Sequence, residues 1–121
     1  MSKLFIALSL ILCIVMLGCY AIEPRPSVST ESASAITVSG ATLNGDLKML
    51  GRASSVKVSF EWWEPDLGYV NLTPVQKRES IGGFSSDITG LKPGTTYYFK
   101  AKADGEGTSY GLEMTFTTPS S

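Results

Sequence analysis

Three acidic residues, Glu61, Glu64 and Asp66, are clustered in the sequence and are the first candidates for chemistry. Two carboxylic acids can hydrolyse a glycosidic bond, one acting as the acid and the other as nucleophile or base. That reaction needs a deep cleft, which a small single domain rarely offers, and Glu64 and Asp66 flank Pro65 in a predicted solvated turn. The spacing also differs from that of an EF-hand calcium loop. We therefore predict no catalytic residue, no metal site and no cofactor.

The composition excludes several classes of protein. The chain of 121 residues has no histidine, which removes imidazole bases, Ser-His-Asp and Cys-His pairs, and imidazole metal ligands. Ten basic and eleven acidic residues give a net charge of -1, without the basic field that a nucleic-acid binder needs. We predict a protein that is not an enzyme, has no small-molecule substrate and binds no nucleic acid.

The N-terminal segment has the pattern of an export signal. Lys3 supplies a positive charge, residues 4–17 are apolar apart from Ser9, and Cys19 directly follows Leu17-Gly18. A cysteine in this position resembles the lipobox of bacterial lipoproteins. The resemblance implies that the Cys19 thiol is acylated and that Cys19 becomes the first residue of the mature protein.

Two other interpretations of residues 1–22 stay open. Residues 4–22 are 19 mostly apolar residues, close to the roughly 20 of a membrane-spanning helix, so the segment can be an uncleaved signal anchor. Cleavage after Ala21 would instead secrete the protein. All three alternatives place residues 23–121 outside the cytoplasm, so we predict a domain on the extracytoplasmic face of the membrane, with secretion as the alternative. Cys13 and Cys19 both lie in the leader, which we expect to be a hydrophobic helix, and the exported part has no disulfide.

The exported part has the pattern of an all-β domain, with residues 23–27 as a short linker, 28–118 as the domain and 119–121 as a tail. Alternating apolar and polar residues recur in short runs separated by Gly, Pro, Asn and Asp. Ile36 and Val38 suggest a first strand that begins near Val28. Further strands are predicted over residues 41–47, 56–62, 84–88, 97–103 and 110–116, with 104–107 as a loop. Residues 70–80 contain Pro74 and are predicted to be an edge strand or a loop.

One segment resembles a known family. Residues 91–97, Leu-Lys-Pro-Gly-Thr-Thr-Tyr, are similar to the Leu-x-Pro-x-Thr-x-Tyr corner of fibronectin type III domains, and residues 107–118 resemble the last loop and strand of that family. The resemblance covers residues 27–118 and implies an immunoglobulin-like β-sandwich of about seven antiparallel strands. It also implies a structural tyrosine corner, with Tyr97 bonded to the upstream backbone. The residues that carry this corner are Leu91, Pro93, Gly94 and Tyr97.

The sequence departs from the family in its core. Many members have a tryptophan on the second strand, where this chain has Leu43, and Trp62 is our candidate to fill that volume. Trp63 is adjacent to Trp62 and should point to the opposite face of the strand.

An exposed patch is predicted on the outside of the sandwich. In the resembled fold the third and sixth strands are neighbours, so Glu61 and Trp63 should meet Tyr98 and Lys100. Exposed aromatic residues on a rigid sheet suit the recognition of a protein or a glycan. The alternative is cross-strand pairing that only covers the sheet.

These observations predict a non-enzymatic, membrane-anchored, extracytoplasmic module that serves binding, adhesion or spacing. Its partners would be the membrane, through the N-terminal segment, and an unidentified envelope protein or glycan. The alternative is an accessory carbohydrate-binding-like domain of an envelope enzyme system. A third possibility is a fragment of a longer repetitive surface protein.

Overall fold

The computed structural model describes residues 24–121, so the predicted leader, Cys13 and Cys19 lie outside the described residues. Within this range the regular elements are all β-strands. In chain order they are β1 (Ser27–Ser34), β2 (Gly40–Met49), β3 (Val56–Trp63), β4 (Asn71–Leu72), β5 (Gln76–Arg78), β6 (Gly82–Thr89), β7 (Thr96–Gly105), β8 (Gly107–Tyr110) and β9 (Met114–Thr117). The described residues contain no helix that is long and apolar enough to cross a membrane.

The strands form two antiparallel sheets that face each other. The first sheet has the order β1-β2-β6, and the second has the order β4-β3-β7-β8, with β5 also paired to β3 and β9 also paired to β7. Because β4 and β5 share one edge of the second sheet and β8 and β9 share the other, the strands occupy seven positions. The predicted all-β sandwich of about seven antiparallel strands is confirmed.

The core lies between the sheets and follows from the alternation of residues along the strands. Every second residue of β2 and β7 is buried, as expected for strands with one face inward. Leu43 is fully buried at the position where the family carries tryptophan, and Phe60 contacts Phe84 with ring centroids 5.0 Å apart. Trp62 is only partly buried and packs edge-on against Tyr97 at 5.9 Å, so it borders the core and does not replace the missing tryptophan.

The first strand begins where the sequence predicts, near Val28, but it ends earlier than predicted. β1 runs from Ser27 to Ser34, and the next residue, Ala35, has a φ of 48° that interrupts the extended backbone. Ile36 and Val38 therefore lie in the connection to β2. Ile36 still packs against the core, which explains why an apolar residue stands outside a strand.

The last predicted strand is two strands. Lys102 pairs with Tyr110, whereas Phe99 pairs with Met114, so the β8–β9 side contains one extra residue. An extra residue reverses the faces of the side chains that follow it. Tyr110 is therefore exposed, whereas Phe116 faces the core.

The predicted loop over residues 104–107 is also wrong. β7 continues to Gly105, which pairs directly with Gly107, so the chain reverses around Glu106 in a tight hairpin.

The chain enters and leaves the sandwich at opposite ends. At the entry end, the N–H of Arg52 in the β2–β3 turn donates to the carbonyl of Pro24 at 3.3 Å. At the exit end, the N–H of Gly94 donates to the carbonyl of Pro119 at 2.8 Å. The tyrosine-corner residues and the loop between β3 and β4 lie at the exit end.

Candidate functional site

The four predicted corner residues lie together before β7. Pro93 and Gly94 form the turn, in which Gly94 has a φ of 60°. The Tyr97 hydroxyl accepts a hydrogen bond from the backbone N–H of Lys92 at 2.8 Å. Leu91 is buried in the core, and its N–H donates to the Ser39 carbonyl at 3.0 Å. This geometry gives the corner a structural role, because it holds β7 against the opposite sheet.

The four predicted patch residues lie on the outer face of the second sheet. Glu61 is directly opposite Lys100, and Trp63 is directly opposite Tyr98. The rings of Trp63 and Tyr98 stack with centroids 6.0 Å apart and an angle of 15° between their planes. The strand pairing of β3 with β7 thus brings these four side chains together.

Two more residues, Lys102 and Tyr110, belong to the same surface but were not among the four predicted patch residues. The Lys100 ammonium lies 4.3 Å from the centroid of the Tyr110 ring, and the Tyr110 hydroxyl donates to Glu61 Oε2 at 3.2 Å. Lys102 Nζ lies 3.7 Å from the same carboxylate oxygen. The alternation of β7 predicts that Lys102 lies on this outer face. The position of Tyr110 is not predicted, because the alternation over residues 110–116 predicts that Tyr110 faces inward. We call Glu61, Trp63, Tyr98, Lys100, Lys102 and Tyr110 together the outer patch.

Glu61 is the electrostatic centre of the outer patch. Its side chain is only 18% exposed and lies between the ammonium groups of Lys100 and Lys102. Desolvation, and then the negative charge of Glu61, raise the pKa of Tyr110 above its ordinary value, and Lys102 partly opposes this. The neutral phenol donates its hydrogen bond to the Glu61 carboxylate.

The outer patch is suited to recognition. Trp63 and Tyr98 are half-buried against each other, whereas the Tyr110 side chain is 46% exposed. The strand pairing fixes the rings, so little conformational entropy is lost when they contact a partner. Cations, a carboxylate and a hydroxyl surround the rings and provide both donors and acceptors.

The three clustered acidic residues make different contacts in the structure. Glu64 begins a turn closed by a hydrogen bond from the Leu67 N–H to the Glu64 carbonyl at 3.4 Å, with Asp66 at a φ of 78°. The Glu64 carboxylate instead forms an ion pair with Lys92 at 3.2 Å, while Glu61 lies in the outer patch. Among residues 24–121 there is no group of three or more acidic side chains placed to hold a metal ion.

Solved structures with the same architecture come from bacterial and human proteins. The sensor domain of the anti-sigma factor RsgI4 of Pseudobacteroides cellulosolvens matches with a TM-score of 0.66 and 24% identity, over 80% of this chain and 96% of that chain. A longer form of that domain matches with a TM-score of 0.63 and 25% identity, over 78% and 90% of the two chains. The sixth domain of human fibronectin type III domain containing protein 3 matches with a TM-score of 0.54 and 22% identity, over 83% and 85%.

These similarities show the class of fold, a fibronectin type III-like β-sandwich. No protein-family model matches the sequence. No curated protein sequence is significantly similar to it.

Proposed function

We propose that this chain is a non-enzymatic, membrane-anchored module that uses the outer patch to bind a protein partner on the extracytoplasmic side of the membrane. The observation that carries the proposal is the position of Tyr110. Cross-strand pairing accounts for the stack of Trp63 on Tyr98 and for the position of Tyr110 opposite Lys102, but it leaves the Tyr110 ring 46% exposed with its hydroxyl bonded to Glu61 two strands away. Similarity to a sensor domain supports recognition as the type of role.

Crosslinking of the intact protein in its own membrane tests the outer patch. The Tyr98→Ala and Tyr110→Ala variants should each lose the crosslinked partner, because aromatic anchors dominate the binding energy of interfaces. Ile81→Ala is the matched control, since it removes an exposed apolar side chain that is not part of the patch. Unchanged crosslinking in both tyrosine variants would contradict the assignment of this surface.

The membrane anchor needs its own test, because residues 1–23 lie outside the described residues. Lipidation at Cys19 predicts that Cys19→Ser releases the protein from membranes or blocks its maturation. Cys13→Ser is the matched control, since it removes the other thiol of the leader and should leave maturation unchanged. A Cys19→Ser protein that stays in the membrane with unchanged mass would favour the uncleaved signal anchor.

The alternative function is that of a carbohydrate-binding accessory domain. Stacked aromatic rings beside charged hydrogen-bonding groups also suit a glycan surface. Binding to immobilised glycans that disappears in the Trp63→Ala or Tyr98→Ala variants would support this alternative. Absence of binding to every glycan tested would count against it.

A further inference from the structure

A second concave surface lies at the exit end, away from the outer patch. It has a volume of about 250 Å³ and lies between the β3–β4 loop and the corner before β7. The lining residues that carry the argument are Trp62, Glu64, Tyr69, Asn71, Lys92 and Tyr97. We call this depression the exit-end pocket.

The floor of the exit-end pocket is aromatic and rigid. Trp62, which is partly exposed, meets Tyr97 edge-on at 5.9 Å. Tyr97 is only 3% exposed and stacks on Phe116 with centroids 5.6 Å apart, so it supports Trp62 from the core and offers almost no surface of its own to a ligand. The hydrogen bond from the Lys92 N–H to the Tyr97 hydroxyl fixes the floor relative to the rim. A ligand would therefore meet a preformed surface.

The rim supplies polar groups of both signs. Glu64 and Lys92 face each other with 3.2 Å between carboxylate oxygen and ammonium nitrogen, and the Glu64 side chain is only 19% exposed. The Asn71 side-chain nitrogen donates to the Trp62 carbonyl at 3.4 Å, which leaves the amide oxygen of Asn71 as an acceptor for a ligand.

The β3–β4 loop also places apolar surface beside this rim. Tyr69 is 59% exposed and Leu67 is 43% exposed, although both are large enough to contribute to a core. The packing of the core does not explain why two large apolar side chains occupy these exposed positions. Next to a polar pocket they provide an apolar wall for a ligand with one apolar face.

We propose that the exit-end pocket binds a single neutral sugar ring, such as the terminal residue of a glycan. A pyranose ring has C–H groups that pack against aromatic faces, and its adjacent hydroxyls can donate to Glu64 and accept from Lys92. The paired charges leave the rim with no net charge, which disfavours an anionic or a cationic ligand. The volume is below the roughly 300–1,000 Å³ of pockets for drug-sized molecules, so a single ring fits better than a chain. The proposal goes beyond the proposed function and is independent of the outer patch.

Tryptophan fluorescence offers a direct test with the full chain in lipid nanodiscs, where no glycosidic detergent competes. The Trp63→Phe variant leaves Trp62 as the single tryptophan and keeps a ring against Tyr98. The probes are the methyl pyranosides of glucose, galactose, mannose and N-acetylglucosamine, and acyclic glucitol controls for nonspecific polyol effects. At least one pyranoside should change the Trp62 emission saturably with a millimolar dissociation constant, which is typical of small ligands.

Variants of the rim separate binding from folding. In the Trp63→Phe background, Tyr69→Ala and Glu64→Gln should each weaken binding about tenfold, which corresponds to one lost hydrogen bond or stacking contact. Tyr69→Phe should restore the affinity, because it keeps the ring. Val75→Ala is the control for an exposed apolar residue outside the pocket and should bind normally.

Three outcomes would overturn the proposal. The first is an emission that does not change with any of the four pyranosides. The second is a change that glucitol reproduces, and the third is a change that Tyr69→Ala and Glu64→Gln leave intact. Because the crosslinking experiment uses Tyr98 and Tyr110, failure at the pocket is distinguishable from failure at the outer patch.

Discussion

Gly111 is the residue where the structure tolerates a side chain least. A β-carbon at this position would lie 2.5 Å from the backbone nitrogen of Thr30 and would also overlap the Thr30 hydroxyl oxygen. The Thr30 hydroxyl already accepts a hydrogen bond from the N–H of Ala101 at 3.0 Å, and this bond would be lost if the hydroxyl moved away. β1 therefore crosses close to the β8–β9 junction only because Gly111 lacks a side chain.

Gly111→Ala should lower the free energy of unfolding by about 3 kcal/mol, at the upper end of the cost of overpacking, because backbone atoms must move. Gly83→Ala is the matched control, since a β-carbon there meets only the Gly45 carbonyl at an ordinary 3.7 Å. Urea unfolding followed by tryptophan fluorescence measures both variants. Equal midpoints for the two alanine variants would contradict the close approach.

The ionisation of Tyr110 reports on the outer patch. Its pKa is raised by desolvation and by Glu61, so Glu61→Gln should bring the pKa of Tyr110 down toward the ordinary value of 10.0. Because the pKa is higher in the folded state, the stabilisation from the neutral phenol is present below that value and is lost as the pH rises through the raised pKa. Phenolate absorbance, taken as a difference from Tyr110→Phe, measures the pKa. Glu79→Gln, which changes an exposed carboxylate elsewhere, should leave it unchanged.

The face of the sheet on which a side chain lies can be predicted from the sequence where the strand alternates regularly. The strong alternation of β3 and β7 places Glu61, Trp63, Tyr98 and Lys100 on one face, and their proximity follows once the two strands are neighbours. Tyr110 was not predictable in this way, because its orientation depends on where the chain inserts one residue relative to β7. Gly111, which lies close to β1, falls within this insertion, and the insertion leaves no periodic signal in the sequence.

At the scale of strands, β5 protects the exposed edge of β6. β6 pairs with β2 on one side, and two side chains of β5 bond to backbone carbonyls of β6. Gln76 donates to the carbonyl of Ser85 at 2.8 Å, and Arg78 donates to the carbonyl of Gly83 at 2.7 Å. Capped carbonyls cannot pair with a strand of another molecule.

The Gln76→Ala/Arg78→Ala double variant removes both side chains that bond to the β6 carbonyls, here called the caps, and should promote self-association through β6. Sedimentation velocity of the purified protein should show species larger than those of the unaltered protein at the same concentration. Lys77→Ala is the matched control, because Lys77 lies between the two caps and is exposed. An unchanged sedimentation profile for the double variant would show that these caps do not govern the β6 edge.

The strands differ in how far the sequence determines them. β2, β3, β6 and β7 have regular alternation and are predicted to within a few residues. β4 and β5 are short edge strands, and the polar segment with Pro74 gave only an edge strand or a loop. For β1 only the end differs from the prediction, because Ile36 packs against the core from the connection to β2 and not from a strand.

For the molecule as a whole, stability comes from the core and not from covalent crosslinks. Residues 24–121 contain no cysteine, so the sandwich is held by the packing of residues such as Leu43, Phe60 and Phe99. We expect the same midpoint of thermal unfolding with and without a reducing agent, as followed by circular dichroism in the β-sheet region. A lower midpoint under reducing conditions would mean that the leader cysteines contribute to the stability of the domain.

The opposite positions of the entry and exit ends have a mechanical consequence. β2 has ten residues, which at ~3.3 Å per residue span roughly 33 Å between the two ends. A force that pulls Ser27 and Thr117 apart would act along the strands and load the β1–β2 and β7–β9 hydrogen bonds in shear. Hydrogen bonds perpendicular to the pull must break together and not one after another. The sandwich can therefore carry tension along its long axis while the outer patch on the sheet face keeps its shape.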